Sequence, residues 1–331
     1  MSEGKGVMIY GEFVQGKLTT VTRELLGCGR HLASELGQEL SAVLLGSEVS
    51  GLAQEAVAYG ADRVYVVDNP LLKDYRTDAY VPAMEKVVKQ VSPQIILMGQ
   101  TPVGRDLAPR LAFRLGTAAT TDCVALAIDP TSKRLLQTKP VYGGNAQAVY
   151  VSQSDPQIAT VRAKVMTALA PDTSRKGEIV TVDAGLDPAM IRTNVVQQVV
   201  EEVKGVKIEE APAVVSGGRG IGDAAGFKQL EELAILLKGA VGGSRPACDA
   251  GWIPESNQVG LTGKIVTPDV YFAIAISGSS QHLAGCSSSK TIIAINKDPE
   301  ANIFKAAHYG VVGDWKKVVP ALTGKLKELL A

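Results

Sequence analysis

The side chains that could do chemistry gather at strand ends in the second half of the chain. Ser277-Gly278-Ser279-Ser280-Gln281-His282 follows Val270–Ile276, an almost wholly apolar run. Such a run reads as a strand buried on both faces of a parallel sheet, and the small polar residues after it suit a helix start. Where a strand stops and a helix begins, backbone N–H groups are unpaired and partial positive charge collects. Gly278 lets a ligand approach the main chain. The combination suits a nucleotide cofactor. His282 is the histidine placed to meet it, and no His or Cys stands at the spacing that would make it a metal ligand. Of the other two histidines, His31 falls in a helical pattern as an exposed residue and His308 at a helix end, where it could cap.

Two arginines share this setting. Ser216-Gly-Gly-Arg219-Gly-Ile-Gly222 reads either as a plain glycine-rich turn or, through Arg219, as a phosphate-pairing loop; it misses the strict GxGxxG spacing. Arg245, in Gly242-Gly-Ser244-Arg245-Pro246, reads alone as a surface cation, and as a stacking partner if the ligand carries a heteroaromatic ring. Between Arg245 and the apolar run lies a glycine-flanked loop, Gln258-Val259-Gly260-Leu261-Thr262-Gly263.

Other chemistries find no footing. Ser277-Gly278-Ser279 lacks the glycine that opens a nucleophile elbow, and Gly263-Lys264 is followed by Ile265 rather than Ser or Thr. The paired carboxylates Glu201-Glu202, Glu209-Glu210 and Glu231-Glu232 fall in helix or linker contexts. Cys28, Cys123, Cys248 and Cys286 form no CxxC pair and read as reduced thiols. A cofactor cradle without acid, base or nucleophile leaves the chemistry to the cofactor. Lys plus Arg equals Asp plus Glu, 34 each, so the basic surplus of a nucleic-acid binder is missing. No apolar run nears the ~18 residues a membrane span needs, and the opening residues hold no signal core. The expectation is a cytoplasmic protein with no membrane insertion.

The elements that must position these residues are α/β throughout. With 331 residues, 46% hydrophobic and 21% charged, about two domains are expected. In the first half, strands Val7–Tyr10, Ala42–Leu45, Val64–Val67 and Ile95–Met98 alternate with helices Thr19–Leu36, Leu52–Tyr59, Asp78–Val91 and Val103–Leu115. Four such units imply a mostly parallel sheet covered on both faces. Cys123–Ile128, Leu135–Thr138, Ala146–Val151 and Ile158–Val161 then read as an antiparallel extension, with turns at Asp129-Pro130 and Gly143-Gly144-Asn145. Pro171–Gly177 is an exposed loop, and the charged stretch 201–211 marks a boundary, giving domains 1–205 and 206–331.

The second domain repeats the alternation as a doubly wound sheet. Its strands are Ala213–Ser216, Val270–Ile276, Thr291–Ile295 and Gly310–Val312. Its helices are Phe227–Leu237, a turn at Leu283–Gly285, Ile303–Ala307 and a terminal helix to Leu330 with Pro320 in its first turn. The loops at Ser216–Gly222, Ser277–His282, Asn296–Pro299 and Gly313-Asp314-Trp315 then converge on one crevice at the carboxyl ends of the strands.

The ordered blocks Ser244-Arg245, Gln258-Val-Gly-Leu-Thr-Gly-Lys264, Tyr271, Ile276-Ser-Gly278, Gln281-His-Leu-Ala-Gly285 and Ala294-Ile-Asn-Lys-Asp-Pro-Glu300 resemble the alpha subunit of electron transfer flavoproteins. The likeness is close over about 205–325 and looser in the first half, where Gly104–Arg110 and Val141–Ala146 carry it. It implies a nucleotide-hydrolase-like first domain that docks a beta subunit, and a noncovalent FAD in the second domain. It also implies AMP or a second FAD on the beta subunit. By resemblance, Arg245 lies over the flavin ring, Thr262 bonds near the ring or ribityl chain, and His282 approaches the pyrimidine carbonyl as a positive or donating neighbour. Ser244, Gln258, Val259, Gly260 and Leu261 belong to the same cradle. Arg219, Ser277, Gly278, Ser279, Ser280, Gln281, Asn296, Asp314 and the neighbouring Trp315 line the ribityl, pyrophosphate or adenosine parts. Leu261 stands where the family often has Gln, and Ser280 where an apolar residue is common.

The function so implied is electron carriage rather than stand-alone catalysis. Donors are acyl-CoA dehydrogenases of fatty acid oxidation or NADH-linked enzymes; acceptors are a quinone reductase or ferredoxin, and some bacterial relatives bifurcate electrons. Two alternatives are an NAD-dependent oxidoreductase using the same crevice and a nucleotide-sensing scaffold. The first would need an acidic residue about 20 positions beyond a strict GxGxxG, which this chain lacks.

Overall fold

The computed structural model describes residues 4–144, 146–199 and 206–330. The chain divides into two compact units, Met1–Pro140 with Gln147–Gln198, and Val141–Ala146 with Val199–Ala331. The charged residues 201–205, where the linker was expected, and Asn145 of the expected turn lie outside the described residues.

In chain order the first unit holds β1 (Val7–Gly11), a small hairpin of β2 (Phe13–Val14) and β3 (Lys17–Leu18), α1 (Thr20–Leu36) and β4 (Leu40–Gly46). Next come α2 (Ala53–Ala58), β5 (Arg63–Asp68), α3 (Thr77–Val91), β6 (Ile95–Gly99) and α4 (Pro102–Leu115). They are followed by β7 (Ala119–Cys123), β8 (Ala125–Ile128), β9 (Leu135–Val141), β10 (Ala146–Val151), β11 (Gln157–Val161) and β12 (Glu178–Thr181). A seven-stranded parallel sheet runs β12-β5-β4-β1-β6-β11-β7. Apolar residues are buried on both of its faces, Leu25, Leu32 and Val66 in one core and Met84, Leu107 and Met98 in the other. Continuous apolar runs such as Ile95–Gly99 are what burial on two faces demands.

The antiparallel extension is smaller than the sequence suggested. It consists of β8, β9 and β10. Ile158–Val161 leaves it and becomes β11, a parallel strand between β6 and β7. Every residue of β11 is buried, which an outlying half-exposed sheet could not accommodate. Cys123–Ile128 is not one strand. Cys123 ends β7 and Ala125 opens β8, so the segment splits between two sheets; just before the break the β7 register shifts at Asp122, which sits at φ 64 with its carboxylate held by the Arg162 guanidinium at 2.9 and 2.7 Å.

The second unit holds β13 (Ala213–Gly217), α5 (Ala224–Leu236), β14 (Ala240–Gly243), α6 (Arg245–Asp249), β15 (Val270–Ile274), α7 (Ser280–Cys286), β16 (Thr291–Asn296), α8 (Ile303–Ala306), β17 (Tyr309–Val312) and α9 (Trp315–Leu330). All neighbours are parallel in the order β14-β13-β15-β16-β17. The chain winds outward in one direction from β13 and in the other from β15, so its switch point lies between those two strands. Val270–Ile276 is shorter as a strand than its apolar pattern indicates, because Ala275 sits at φ 54 and ends it at Ile274. Pro320 is interior to α9 rather than in its first turn: the helix already starts at Trp315, with the Asp314 carboxylate accepting from the Lys316 N–H at 3.0 Å. His308 caps no helix; its Nδ1 accepts the Ile292 N–H at 3.0 Å.

Candidate functional site

Backbone bonds tie the loops at the carboxyl edge of the second sheet to neighbouring strands. The Gly218 N–H donates to the Ile274 carbonyl at 2.8 Å, Ser244 to Gly217 at 3.0 Å, Ala275 to Ile295 at 2.8 Å and Gly313 to Asn296 at 2.9 Å. These cross-links leave the loops little freedom relative to the sheet. Gly278 stands at φ 82, and a Cβ there would meet the Ile303 nitrogen at 2.2 Å, so only glycine lets this loop pass so close to α8.

The glycine-flanked loop is knitted to α7 and β14. The Val259 N–H donates to Gly243 at 2.8 Å, Leu261 to Gln281 at 2.8 Å, Lys264 to Gln258 at 2.6 Å and Val266 to Gly285 at 2.8 Å. The approach is close because position 285 has no side chain: a Cβ there would lie 2.4 Å from the Gly260 nitrogen. Buried Gln258 donates from Nε2 to the Thr262 hydroxyl at 2.9 Å. With its oxygen accepting that bond, exposed Thr262 keeps its own proton free to donate outward. Leu261 is also exposed at the tip of this loop.

His282 lies in the first turn of α7, its N–H facing the Ser279 hydroxyl at 3.4 Å. Its ring is 5% exposed, and Nε2 is 2.8 Å from the Tyr271 hydroxyl. Nδ1 is buried, and no group meets hydrogen-bond geometry there. Burial pushes the ring's pKa down to about 4, with the Val259 carbonyl pulling the other way. Desolvation wins because a lone imidazolium in an apolar setting has no counter-ion. At neutral pH, His282 is therefore an uncharged ring with one N–H, and the sequence-based expectation of a positive or donating neighbour narrows to a donating one.

The remaining candidates divide by where their polar atoms go. Arg219 and Arg245 are exposed; Arg245 opens α6 beside buried Ser244, and its Nε reaches Asp249 at 3.5 Å. Ser277, Ser279, Ser280 and Gln281 are exposed, with the Ser280 hydroxyl 3.3 Å from Gln281 Oε1. Asn296 is anchored within the protein: Nδ2 donates to the Ile276 carbonyl at 2.9 Å and Oδ1 accepts from the Asp298 N–H at 3.0 Å, leaving one N–H and one lone pair. Trp315 is 6% exposed, and its indole N–H donates to the Gly220 carbonyl at 3.2 Å, steadying the Arg219 turn.

A cavity of about 400 Å³ beside α7 and α8 is lined by Gly278, Ser279 and Ser280, and also by Asn302 and Lys305. Sequence reasoning missed these last two, though a lysine one turn into the helix after β16 was a usable signal. A wider groove of about 610 Å³ on the first unit, between α3, α4 and Ala189–Arg192, contains none of the candidates. Among the described residues no cluster of His, Cys, Asp or Glu could hold a metal ion. All four cysteines are free; burial raises Cys28 and Cys248 to about 11 and Cys123 and Cys286 to about 12, leaving protonated thiols rather than nucleophiles. No described helix is long and apolar enough to cross a membrane.

Two family models match the chain: the electron transfer flavoprotein domain over residues 7–187, and the electron transfer flavoprotein FAD-binding domain over residues 207–287. The electron transfer flavoprotein subunit alpha of Thermoanaerobacterium thermosaccharolyticum is 47% identical over 99% of this chain and 100% of the relative. The chain belongs to the electron transfer flavoprotein alpha-subunit family. The subunit alpha of Megasphaera elsdenii is 45% identical over 99% of this chain and 98% of that one. The lactate dehydrogenase (NAD(+),ferredoxin) subunit LctC of Acetobacterium woodii is 37% identical over 96% of this chain and 76% of that one.

FAD is the cofactor, and the chain is an electron-transfer subunit. The residues present fit FAD. The edge offers the open Thr262 hydroxyl, exposed cations at Arg219 and Arg245, and a buried polar atom at His282 Nδ1 whose Val259 carbonyl partner is short of full hydrogen-bond geometry. These are donors and positive charges, as an electron-accepting ring and a pyrophosphate require.

Proposed function

We propose that FAD lies along the carboxyl edge of the second sheet, at the switch point between β13 and β15. The observation that carries this reading is the set of exposed donors and cations, Thr262, Arg245 and Ser277–Gln281, on loops fixed by backbone bonds at that edge, within the segment that matches the FAD-binding model. Arg245, Thr262 and His282 serve the ring, the first by its planar cation and the other two by donated protons. Ser244, Gln258, Val259, Gly260 and Leu261 shape that part of the groove. Arg219, Ser277, Gly278, Ser279, Ser280, Gln281 and Asp314 serve the rest of the cofactor, with Asn296 and Trp315 fixing the loops beneath. Bound FAD supplies the redox chemistry, accepting electrons from one protein and releasing them to another. The residues around it hold it noncovalently and set how favourably added negative charge is received.

The same reading gives the chain two domains, 1–205 and 206–331, the first docking a beta subunit that carries AMP or a second FAD. A flavoenzyme dehydrogenase, of acyl-CoA or NADH-linked type, is the donor, and a quinone reductase or ferredoxin the acceptor, in the cytoplasm. Support comes from relatives whose names specify dehydrogenase or reductase complexes, among them LctC and an acryloyl-CoA reductase electron transfer subunit beta of Anaerotignum propionicum. The deciding experiment is the flavin count of the purified complex. One FAD per heterodimer is the result for a simple carrier and two is the result for a bifurcating one; a colourless complex that releases no flavin on heating refutes the reading.

A further inference from the structure

We infer that Tyr271 is a positioning residue for the flavin: by bonding Nε2 of His282 it leaves Nδ1, carrying the ring proton, as the nitrogen offered to the cofactor. The inference rests on the reading that His282 faces the FAD.

Tyr271 is 0% exposed and sits on β15, the central strand, between β13 and β16 in fixed register with Val214 and Ile292. A side chain on a strand paired on both sides cannot drift. Its hydroxyl is 2.8 Å from His282 Nε2. At neutral pH both groups are uncharged, so one proton lies between them and the direction of donation fixes the imidazole tautomer. A phenol O–H is a far stronger acid than a neutral imidazole N–H, and an imidazole nitrogen is the stronger acceptor. The bond therefore runs from Tyr271 to Nε2, and the ring's own proton resides on Nδ1. The Val259 carbonyl, whose influence on the ring favours a bound proton, acts in the same sense. The result is a buried N–H whose protein acceptor, the Val259 carbonyl, falls short of full hydrogen-bond geometry, a weakly satisfied donor that an acceptor on the ligand would complete. The arrangement resembles the way a metal-bound histidine is held by a group behind it, where the rear partner decides which nitrogen faces forward.

The test uses the FAD-loaded complex with ¹⁵N-labelled histidine, together with Tyr271→Phe, His282→Asn and the double variant. In the wild type, the His282 signals are expected to show a pyrrole-type Nδ1 and a pyridine-type Nε2; a proton on Nε2 overturns the inference without any variant. Tyr271→Phe keeps the ring volume and releases Nε2, and is expected to lower the first-electron potential of bound FAD. A tenfold loss in reduction equilibrium would read as about 59 mV. In the His282→Asn background the same substitution is expected to leave the potential where His282→Asn alone put it, because Tyr271 acts through the histidine. An equal shift in both backgrounds, or none in the wild type, overturns the inference. Should His282→Asn by itself leave the potential unchanged, the reading beneath it falls as well. Should it lower the potential while Tyr271→Phe does not, only the positioning role falls.

Discussion

The depressed pKa of His282 makes stability of the second unit depend on pH in a calculable way. The ring's ordinary value is 6.5 and burial takes it to about 4. As pH falls, the unfolded chain takes the proton first, so the stability contributed by the neutral buried ring is complete above pH 6.5 and is lost between pH 6.5 and about 4. At ~1.36 kcal/mol per pH unit, that gap is worth about 3 kcal/mol. His282→Asn removes the titration. It also removes the ring from the Tyr271 hydroxyl, which keeps Ser216 and Cys286 as partners, a cost of about 0.5–1.5 kcal/mol that does not vary with pH. Urea unfolding of the flavin-free chain, followed by tryptophan fluorescence, isolates the effect, because Trp252 and Trp315 both belong to the second unit. The variant is expected to be the less stable protein at pH 7.5, and the wild type's loss of about 3 kcal/mol by pH 4 carries its curve below the variant's before that pH is reached. Parallel stability curves across that range would refute the reasoning, since they would mean that the wild-type ring ionises as freely folded as unfolded.

Glu12 provides a slope of opposite sign in the first unit. Burial raises its pKa from 4.5 to about 7 despite a bond from the Thr101 hydroxyl at 2.7 Å, so its stabilising neutral form is present below pH 4.5 and lost as pH rises to about 7. Glu12→Gln is expected to slow hydrogen exchange of the β1 amides at pH 8 relative to wild type, by a margin that shrinks toward pH 5. Gly285→Ala should drive its Cβ into the Gly260 backbone and displace the Gln258–Lys264 loop, a misfit of about 1–3 kcal/mol; FAD affinity by flavin fluorescence titration is expected to fall tenfold or more. Trp315→Phe removes the bond to the Gly220 carbonyl, and should weaken FAD binding several-fold through the Arg219 turn. An unchanged dissociation constant would separate that turn from the cofactor.

Where the pattern of apolar residues decided the structure, the sequence was readable. The runs at Val7, Ile95 and Val214 are long, β-branched and buried on both faces, and the helices between them end at glycine or at polar residues, so the alternation emerges from side-chain type alone. It failed where tertiary pairing decided instead. Ala240–Gly243 is half glycine and carries no strand signal, and Glu178–Thr181 has only the short β-branched run Ile179-Val180-Thr181 with exposed residues at both ends; each is a strand because a neighbour offers its edge. Ala119–Cys123 was missed for the same reason, and Ile158–Val161 was given to the wrong sheet because adjacency in sequence was taken for adjacency in space.

The same division runs through the site. Residue types and loop positions marked Arg219, Arg245 and the Ser277–His282 loop, because phosphate and aromatic ligands have few partners to choose from, and the family resemblance added Thr262. What sequence could not separate was contact from support. Asn296, Trp315 and Gln258 each have a polar atom engaged with a protein group, at 2.9, 3.2 and 2.9 Å; for Trp315 that is its only donor, while the two amides keep a second N–H. Conversely, His282 is nearly inaccessible, and its Nδ1 has only the Val259 carbonyl, short of full hydrogen-bond geometry. Exposure therefore does not sort the two roles; the state of each donor and acceptor does. Tyr271 follows from the same bookkeeping, since a hydroxyl inside an otherwise apolar strand must satisfy its proton somewhere, and the place it does so determines which nitrogen of His282 remains for the flavin.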